Sequence, residues 1–582
     1  MWSSGISLLA LVATRIVAAP TGSAGAPTVT VKNGTYEGLH SAEYKQDFFL
    51  GVPYAQPPLG DLRFRIPQSL NKTWTGVHAA KAYSPECFGY SSDQWNYQVS
   101  EDCLYLNIVR PAGYDGQKLP VAFWIHGGGF NAGGGVDQRY NTSWTIKNAV
   151  EMGKPIVTVS INYRLSAWGF LNSKEVVASG NTNAGLRDQR LALHWVQENI
   201  AAFGGDPTKV TIWGESAGAG SVGLHLTAYG GRDDKLFRGA VMESGNPSLM
   251  SSTSGDKYQN LYNLLTKEAG CSNSTESLQC LRTVSTEKMN KIINGTVLPG
   301  SGSAPPGMPG ATRSVLINFG PATDGDIISN DLNKQLPAGK FVHVPVISGA
   351  NSDEGLDFAP RGMNTEQDFY DSLAKGSERN AALPAELAKQ LLKAYPNDHT
   401  VQVGASLGSA QLGAPFGAQF RRAGSYYGDK AFIAGRRLTC QTWAAAGLSA
   451  YCYRFNAIPA GVKPISAVTH FQEIAFVFYN LQGIGYPPVS INPFTDKSAS
   501  YSTLSKFMNS NWVSFIHDQD PNAWRSKWNG TEALWPKYDL TKPKDYVFDA
   551  NVTSYAEDDT FRAEGIKLIN DYALGRWSPS SA

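Results

Sequence analysis

The chain has 582 residues, 42% of them hydrophobic and 17% charged, enough apolar material for a large buried core. Its formal net charge is +1, with no long run of one sign. That balance gives no electrostatic reason to bind nucleic acid or an anionic membrane and leaves small-molecule chemistry as the expectation.

Residues 1–19 read as a secretory signal peptide: an apolar run over 6–13, then the small residues Val17, Ala18 and Ala19 before Pro20. No basic residue precedes the run, and Arg15 interrupts its end. No stretch is long and apolar enough to span a bilayer, so residues 20–582 are expected to be secreted as one catalytic domain without a membrane anchor. Asn-x-Ser/Thr sequons at Asn33, Asn71, Asn141, Asn273, Asn294, Asn529 and Asn551 agree with export as a group. The cysteines fall in near pairs, Cys87 with Cys103, Cys271 with Cys280 and Cys440 with Cys452, a spacing that suits local disulfides in an oxidising compartment. For Cys440 and Cys452 two buried thiols fit the sequence as well as a bridge does. None of the pairs has metal-ligand spacing with histidine, and neither metal nor cofactor is expected.

Along the chain, short apolar runs over 120–125, 156–161 and 210–213 predict strands, with a helical stretch around 191–196 between the last two. Strand, helix, strand is the pattern of a parallel sheet. Later strands are predicted over 342–347 and 448–455. The Gly-, Pro- and Ser-rich segment 300–310 reads as a loop inside the domain. There is no internal repeat.

The chemistry enters with Gly214-Glu215-Ser216-Ala217-Gly218, a G-x-S-x-G pattern directly after the run 210–213. In a chain this rich in Gly and Ser roughly 0.5 such matches are expected by chance, so context must decide. A second match, Gly404-Ala405-Ser406-Leu407-Gly408, follows a polar turn and reads as a loop serine. Ser216 instead sits between a strand and a run of small residues that lets a helix start tightly against the sheet. The first N–H groups of that helix, beginning with Ala217, are free to stabilise an oxyanion. Further donors are expected from His126-Gly127-Gly128-Gly129, a Gly-rich loop after the strand 120–125. Gly-x-Gly-x-x-Gly spacing and a Walker lysine are both missing, which argues against a phosphate-binding turn.

With these motifs the chain resembles the type-B carboxylesterase and lipase family, which includes the cholinesterases, and within it secreted fungal members. The likeness runs over nearly the whole mature chain, through Gly51-Val52-Pro53-Tyr54-Ala55, Glu101-Asp102-Cys103-Leu104, Asn162-Tyr163-Arg164 and Asn183-Ala184-Gly185-Leu186-Arg187-Asp188. The resemblance implies an α/β-hydrolase fold: a large, mostly parallel central sheet flanked by helices, with long insertions around an active-site gorge. Either carboxylate of Asp353-Glu354-Gly355 could orient an imidazole on chemical grounds; the resemblance selects Glu354. It selects His470, ahead of Glu473-Ile474-Ala475-Phe476-Val477-Phe478, from nine histidines. The order Ser, acid, His is that of the fold. The resemblance further implies Glu215, Ser244 and Glu473 as supporting groups and structural ion pairs Arg63–Glu101 and Arg164–Asp188. The bridges expected are Cys87–Cys103 and Cys271–Cys280.

The implied function is a serine carboxylic-ester hydrolase: Ser216 attacks, His470 shuttles the proton, Glu354 orients it, and the N–H groups of Gly128, Gly129 and Ala217 hold the oxyanion. The Cys87–Cys103 loop is too short for a large mobile flap, which favours soluble, short-to-medium-chain esters over interfacial triglyceride hydrolysis. Trp95 in that loop lies nearer Cys103 than the cholinesterase pattern places its cation-binding Trp, and reads as structural. A non-catalytic adhesion-type relative is the alternative of another class, against which the chain keeps every triad member.

Overall fold

The computed structural model describes residues 25–91, 94, 96–248, 255–296, 314–329, 331–376, 381–410 and 412–579. The signal peptide expected at 1–19, the loop 300–310 and Trp95 lie outside the described residues. Among the described residues no helix is long and apolar enough to cross a membrane, and no group of acidic, His or Cys side chains is arranged to hold a metal ion.

One sheet of eleven strands organises the molecule. In chain order the strands are β1 (Leu39–Ser41), β2 (Gln46–Pro53), β3 (Tyr105–Pro111), β4 (Leu119–Ile125), β5 (Val157–Ile161), β6 (Gly205–Glu215), β7 (Gly239–Glu243), β8 (Val346–Asn351), β9 (Ala450–Phe455), β10 (Lys544–Phe548) and β11 (Tyr555–Asp558). Across the sheet they lie in the order β11-β10-β9-β8-β7-β6-β4-β5-β3-β2-β1. The seven strands from β10 to β5 pair in parallel, and the edges are antiparallel.

The parallel strands read as unbroken apolar runs because both faces are covered. On β4, Val121, Phe123 and Ile125 join the core on one side, while Ala122 and Trp124 join the core on the other. On β9, Ala450 and Cys452 face the first core, and Tyr451, Tyr453 and Phe455 the second. Helices α1 (Ala184–Asn199) and α2 (Ala217–Gly231, kinked at Ala228–Gly230) cover the first face, and α3 (Ala499–Asp518) the second.

β8 begins four residues later than the apolar run 342–347 suggests. Pro345 has no N–H to give the ladder; its carbonyl accepts from Ala240, and regular pairing starts at Val346. The strand then continues through small residues to Asn351, because a side chain at Gly349 would collide with the ring of Tyr453 on the neighbouring strand. Cys440 and Cys452 are bonded to each other, as are Cys87 with Cys103 and Cys271 with Cys280. Arg63 and Glu101 form a buried two-point ion pair, and so do Arg164 and Asp188.

Candidate active site

β6 ends at Glu215 and α2 begins at Ala217, so Ser216 alone makes the turn, at φ +55° and ψ −123°. A non-glycine residue in that region is strained and is held there by its surroundings. The flanking glycines permit the turn. A Cβ on Gly218 would lie 2.0 Å from the Ile125 carbonyl oxygen, and one on Gly214 would lie 2.5 Å from the Gly218 backbone. The Ser216 N–H is tied to the Glu243 carbonyl at 2.8 Å, and its own carbonyl accepts from Gly220 at the same distance, starting the helix.

His470 lies 254 residues further on, yet its Nε2 is 2.7 Å from Ser216 Oγ. Its Nδ1 is 2.7 Å from Glu354 Oε2. The other Glu354 oxygen accepts from the Ser244 hydroxyl and, at 2.8 Å, from the Asn351 N–H. Geometry thus distinguishes the two acids of the turn after β8. The Asp353 carboxylate accepts from the N–H groups of Gly404 and Val468 and staples neighbouring loops, whereas Glu354 faces the imidazole. Glu215 Oε1 lies 3.2 Å from His470 Nε2. Glu473 accepts from the Asn351 amide at 2.6 Å and lies 3.5 Å from the Ser244 hydroxyl.

The carboxylates of Glu215, Glu354 and Glu473 are buried and His470 nearly so, and their charges act on one another at close range. Burial alone would lower the His470 pKa, but the carboxylates of Glu215 and Glu354 outweigh it and raise it to about 10. Burial, with Glu354 beside it, pushes Glu473 up to about 7. Glu215 is held well above the ordinary carboxylate range by burial, against the attraction of His470.

Opposite Ser216 stands the Gly-rich loop. Gly128 and Gly129 both adopt positive φ and are exposed, and among the described residues neither N–H enters a hydrogen bond. A Cβ at Gly128 would lie 2.3 Å from the Ala132 carbonyl oxygen. His126 anchors the loop from beneath: its ring stacks on Tyr163, whose hydroxyl donates to the His126 carbonyl. Burial lowers the His126 pKa to about 4, so this imidazole is neutral. Ser406, the other serine in a G-x-S-x-G pattern, lies exposed in a single 3-10 turn and belongs to no such arrangement.

Several residues of the site escape a reading of the sequence. Phe358, 44% exposed, and Phe432 pack their rings 5.2 and 4.6 Å from the His470 imidazole and form an aromatic wall. Asn351 joins the two carboxylates Glu354 and Glu473 through backbone and side chain. Glu243 and Trp512 meet beneath Ser216. A lone acid ending the apolar strand β7 was the available signal for Glu243; nothing local marks the others.

A model of the carboxylesterase family matches residues 25–564. The chain belongs to the carboxylesterase family. Its activity is accordingly carboxylic ester hydrolysis. Among family relatives it is 34% identical to Lipase 4 of Diutina rugosa, covering 96% of this chain and 98% of that protein. It is 32% identical to a secreted triacylglycerol lipase of Gibberella zeae, covering 93% and 90%. Among solved structures it resembles Aspergillus niger EstA, with a TM-score of 0.77, 28% identity and coverage of 94% and 99%. A Geobacillus stearothermophilus carboxylesterase gives 0.70, 28%, and 92% and 98%. The fold these neighbours share with this chain is the α/β-hydrolase fold.

Proposed function

We propose that this carboxylesterase-family enzyme works through an acyl-enzyme on Ser216 and acts on soluble, short-to-medium-chain carboxylic esters outside the cell. The observation that carries the first part is the continuous chain from Ser216 Oγ through His470 to Glu354, two contacts of 2.7 Å set on a strained turn. Oγ attacks the ester carbonyl as Nε2 takes its proton, and Glu354 stabilises the imidazolium. The tetrahedral oxyanion falls to the N–H groups of Gly128, Gly129 and Ala217, each such donor worth about 10²–10³ in rate. Collapse expels the alkoxide, which recovers the proton from Nε2. Water, deprotonated by the same nitrogen, then releases the acid and restores Ser216.

The substrate class rests on the short Cys87–Cys103 loop and on the aromatic wall of Phe358 and Phe432, which suits a hydrocarbon chain. Export rests on three disulfides and on relatives named as secreted lipases. A second reading, hydrolysis of emulsified lipid, is favoured by those same names and by one surface feature. Between Glu473 and Asp496 no residue is charged, and Ile484, Val489 and Ile491 are exposed there. Initial rates on p-nitrophenyl butyrate against emulsified triolein test the choice. Faster turnover of the soluble ester is expected; a jump in rate above the solubility limit would establish the second reading instead.

A further inference from the structure

The turn Glu243-Ser244-Gly245 that follows β7 touches both ends of the triad. The Glu243 carbonyl accepts from the Ser216 N–H, and the Ser244 hydroxyl donates to Glu354. Ser244 holds φ +51°, and a Cβ on Gly245 would lie 2.6 Å from the Ser216 carbonyl oxygen. A shift of this turn therefore moves nucleophile and acid together.

The Glu243 side chain is fully buried. Its Oε1 accepts from two indole N–H groups, Trp213 on β6 and Trp512 on α3, each at 2.5 Å. Among the described residues no cationic side chain pairs with it, and Oε2 is buried without a partner. Glu473, Glu215 and the phenol of Tyr453 face the same carboxyl. A carboxyl group in such a place is costly, and two convergent donors are what hold it.

We propose that Glu243 is a positioning residue for ester hydrolysis: clamped between Trp213 and Trp512, it fixes the turn from which Ser216 and Glu354 are both held. The inference rests on the Ser216–His470–Glu354 reading above. Burial and the nearby carboxylates of Glu473 and Glu215 push the Glu243 pKa well above the ordinary range, and glutamine keeps both the side chain's shape and the oxygen that accepts from the two indoles.

The test is steady-state kinetics on p-nitrophenyl butyrate with Glu243→Leu, Glu243→Gln and Trp512→Phe, each checked for folding by circular dichroism. A misplacement of the reacting groups acts on kcat rather than on substrate binding, so Glu243→Leu should lose about 10² in kcat with KM within about threefold. Glu243→Gln, whose amide oxygen can accept the same two N–H groups, should recover kcat to within about threefold of the native enzyme. If the leucine variant does not fold, Trp512→Phe decides: a fall of about tenfold in kcat supports the inference, and an unchanged kcat overturns it. A folded Glu243→Leu with native kcat, or a glutamine variant as impaired as the leucine one, also overturns it. Ser216→Ala separates the two claims. Activity in that variant would remove the triad reading itself, whereas an inactive Ser216→Ala beside a fully active Glu243→Leu would remove only the positioning role.

Discussion

At the scale of single residues the site is governed by which charges share a buried space. As the proposed base the imidazole of His470 must be neutral, and its pKa is raised, so kcat/KM should climb with pH and collapse on acidification. The carboxylate of Glu215, 3.2 Å from Nε2, is one cause of the rise. Glu215→Gln removes that negative charge, destabilises the imidazolium and should move the acid limb to lower pH. A pH profile of kcat/KM for the variant that overlays the native one would contradict this. The sequons divide on a similarly local ground. The Asn33 amide already donates to the carbonyls of Leu70 and Lys72, whereas Asn71, Asn273, Asn294, Asn529 and Asn551 are exposed. Glycopeptide mapping of protein from a eukaryotic host should find glycans among those five and Asn33 bare. A fully occupied Asn33 would mean that the two backbone bonds are dispensable.

At the scale of elements, what was legible in the sequence is what a short window contains. Ser216 could be read because strand, turn and helix are consecutive and the turn leaves its mark in Gly214 and Gly218. Gly218→Ala would press a methyl against the Ile125 carbonyl, backbone that cannot move aside. Overpacking of this kind costs about 1–3 kcal/mol, which in a chain of this length should lower the melting temperature by about 1–2 °C. An unchanged melting temperature would show that the elbow has slack. The parallel strands were legible too, through two-sided burial, but β8 was misplaced because β-branched residues before Pro345 imitate a strand that the proline delays. The acid was legible only in part. Asp353 and Glu354 are chemically equivalent on paper, and their roles separate only when Gly404 and Val468 arrive to occupy Asp353. Glu243 escaped altogether, since its second tryptophan is 269 residues away.

At the scale of the whole molecule, one sheet drawing strands from Leu39 to Asp558 brings Ser216, Glu354 and His470 together from three strand ends. That is the economy of a parallel sheet: loops that leave one edge of adjacent strands converge without being neighbours in sequence. Membership of the carboxylesterase family, which spans residues 25–564, carries ester hydrolysis with it. The fold does not choose the ester; the exposed apolar stretch before Asp496 and the short first disulfide loop pull in opposite directions there. Everything proposed for the chemistry turns on Ser216 as the nucleophile. Turnover of p-nitrophenyl butyrate by Ser216→Ala, beside native enzyme and Ser406→Ala, tests it most directly. A loss of about 10⁴ or more with Ser216→Ala and native activity with Ser406→Ala are predicted; undiminished activity in Ser216→Ala would rule out Ser216 as the nucleophile.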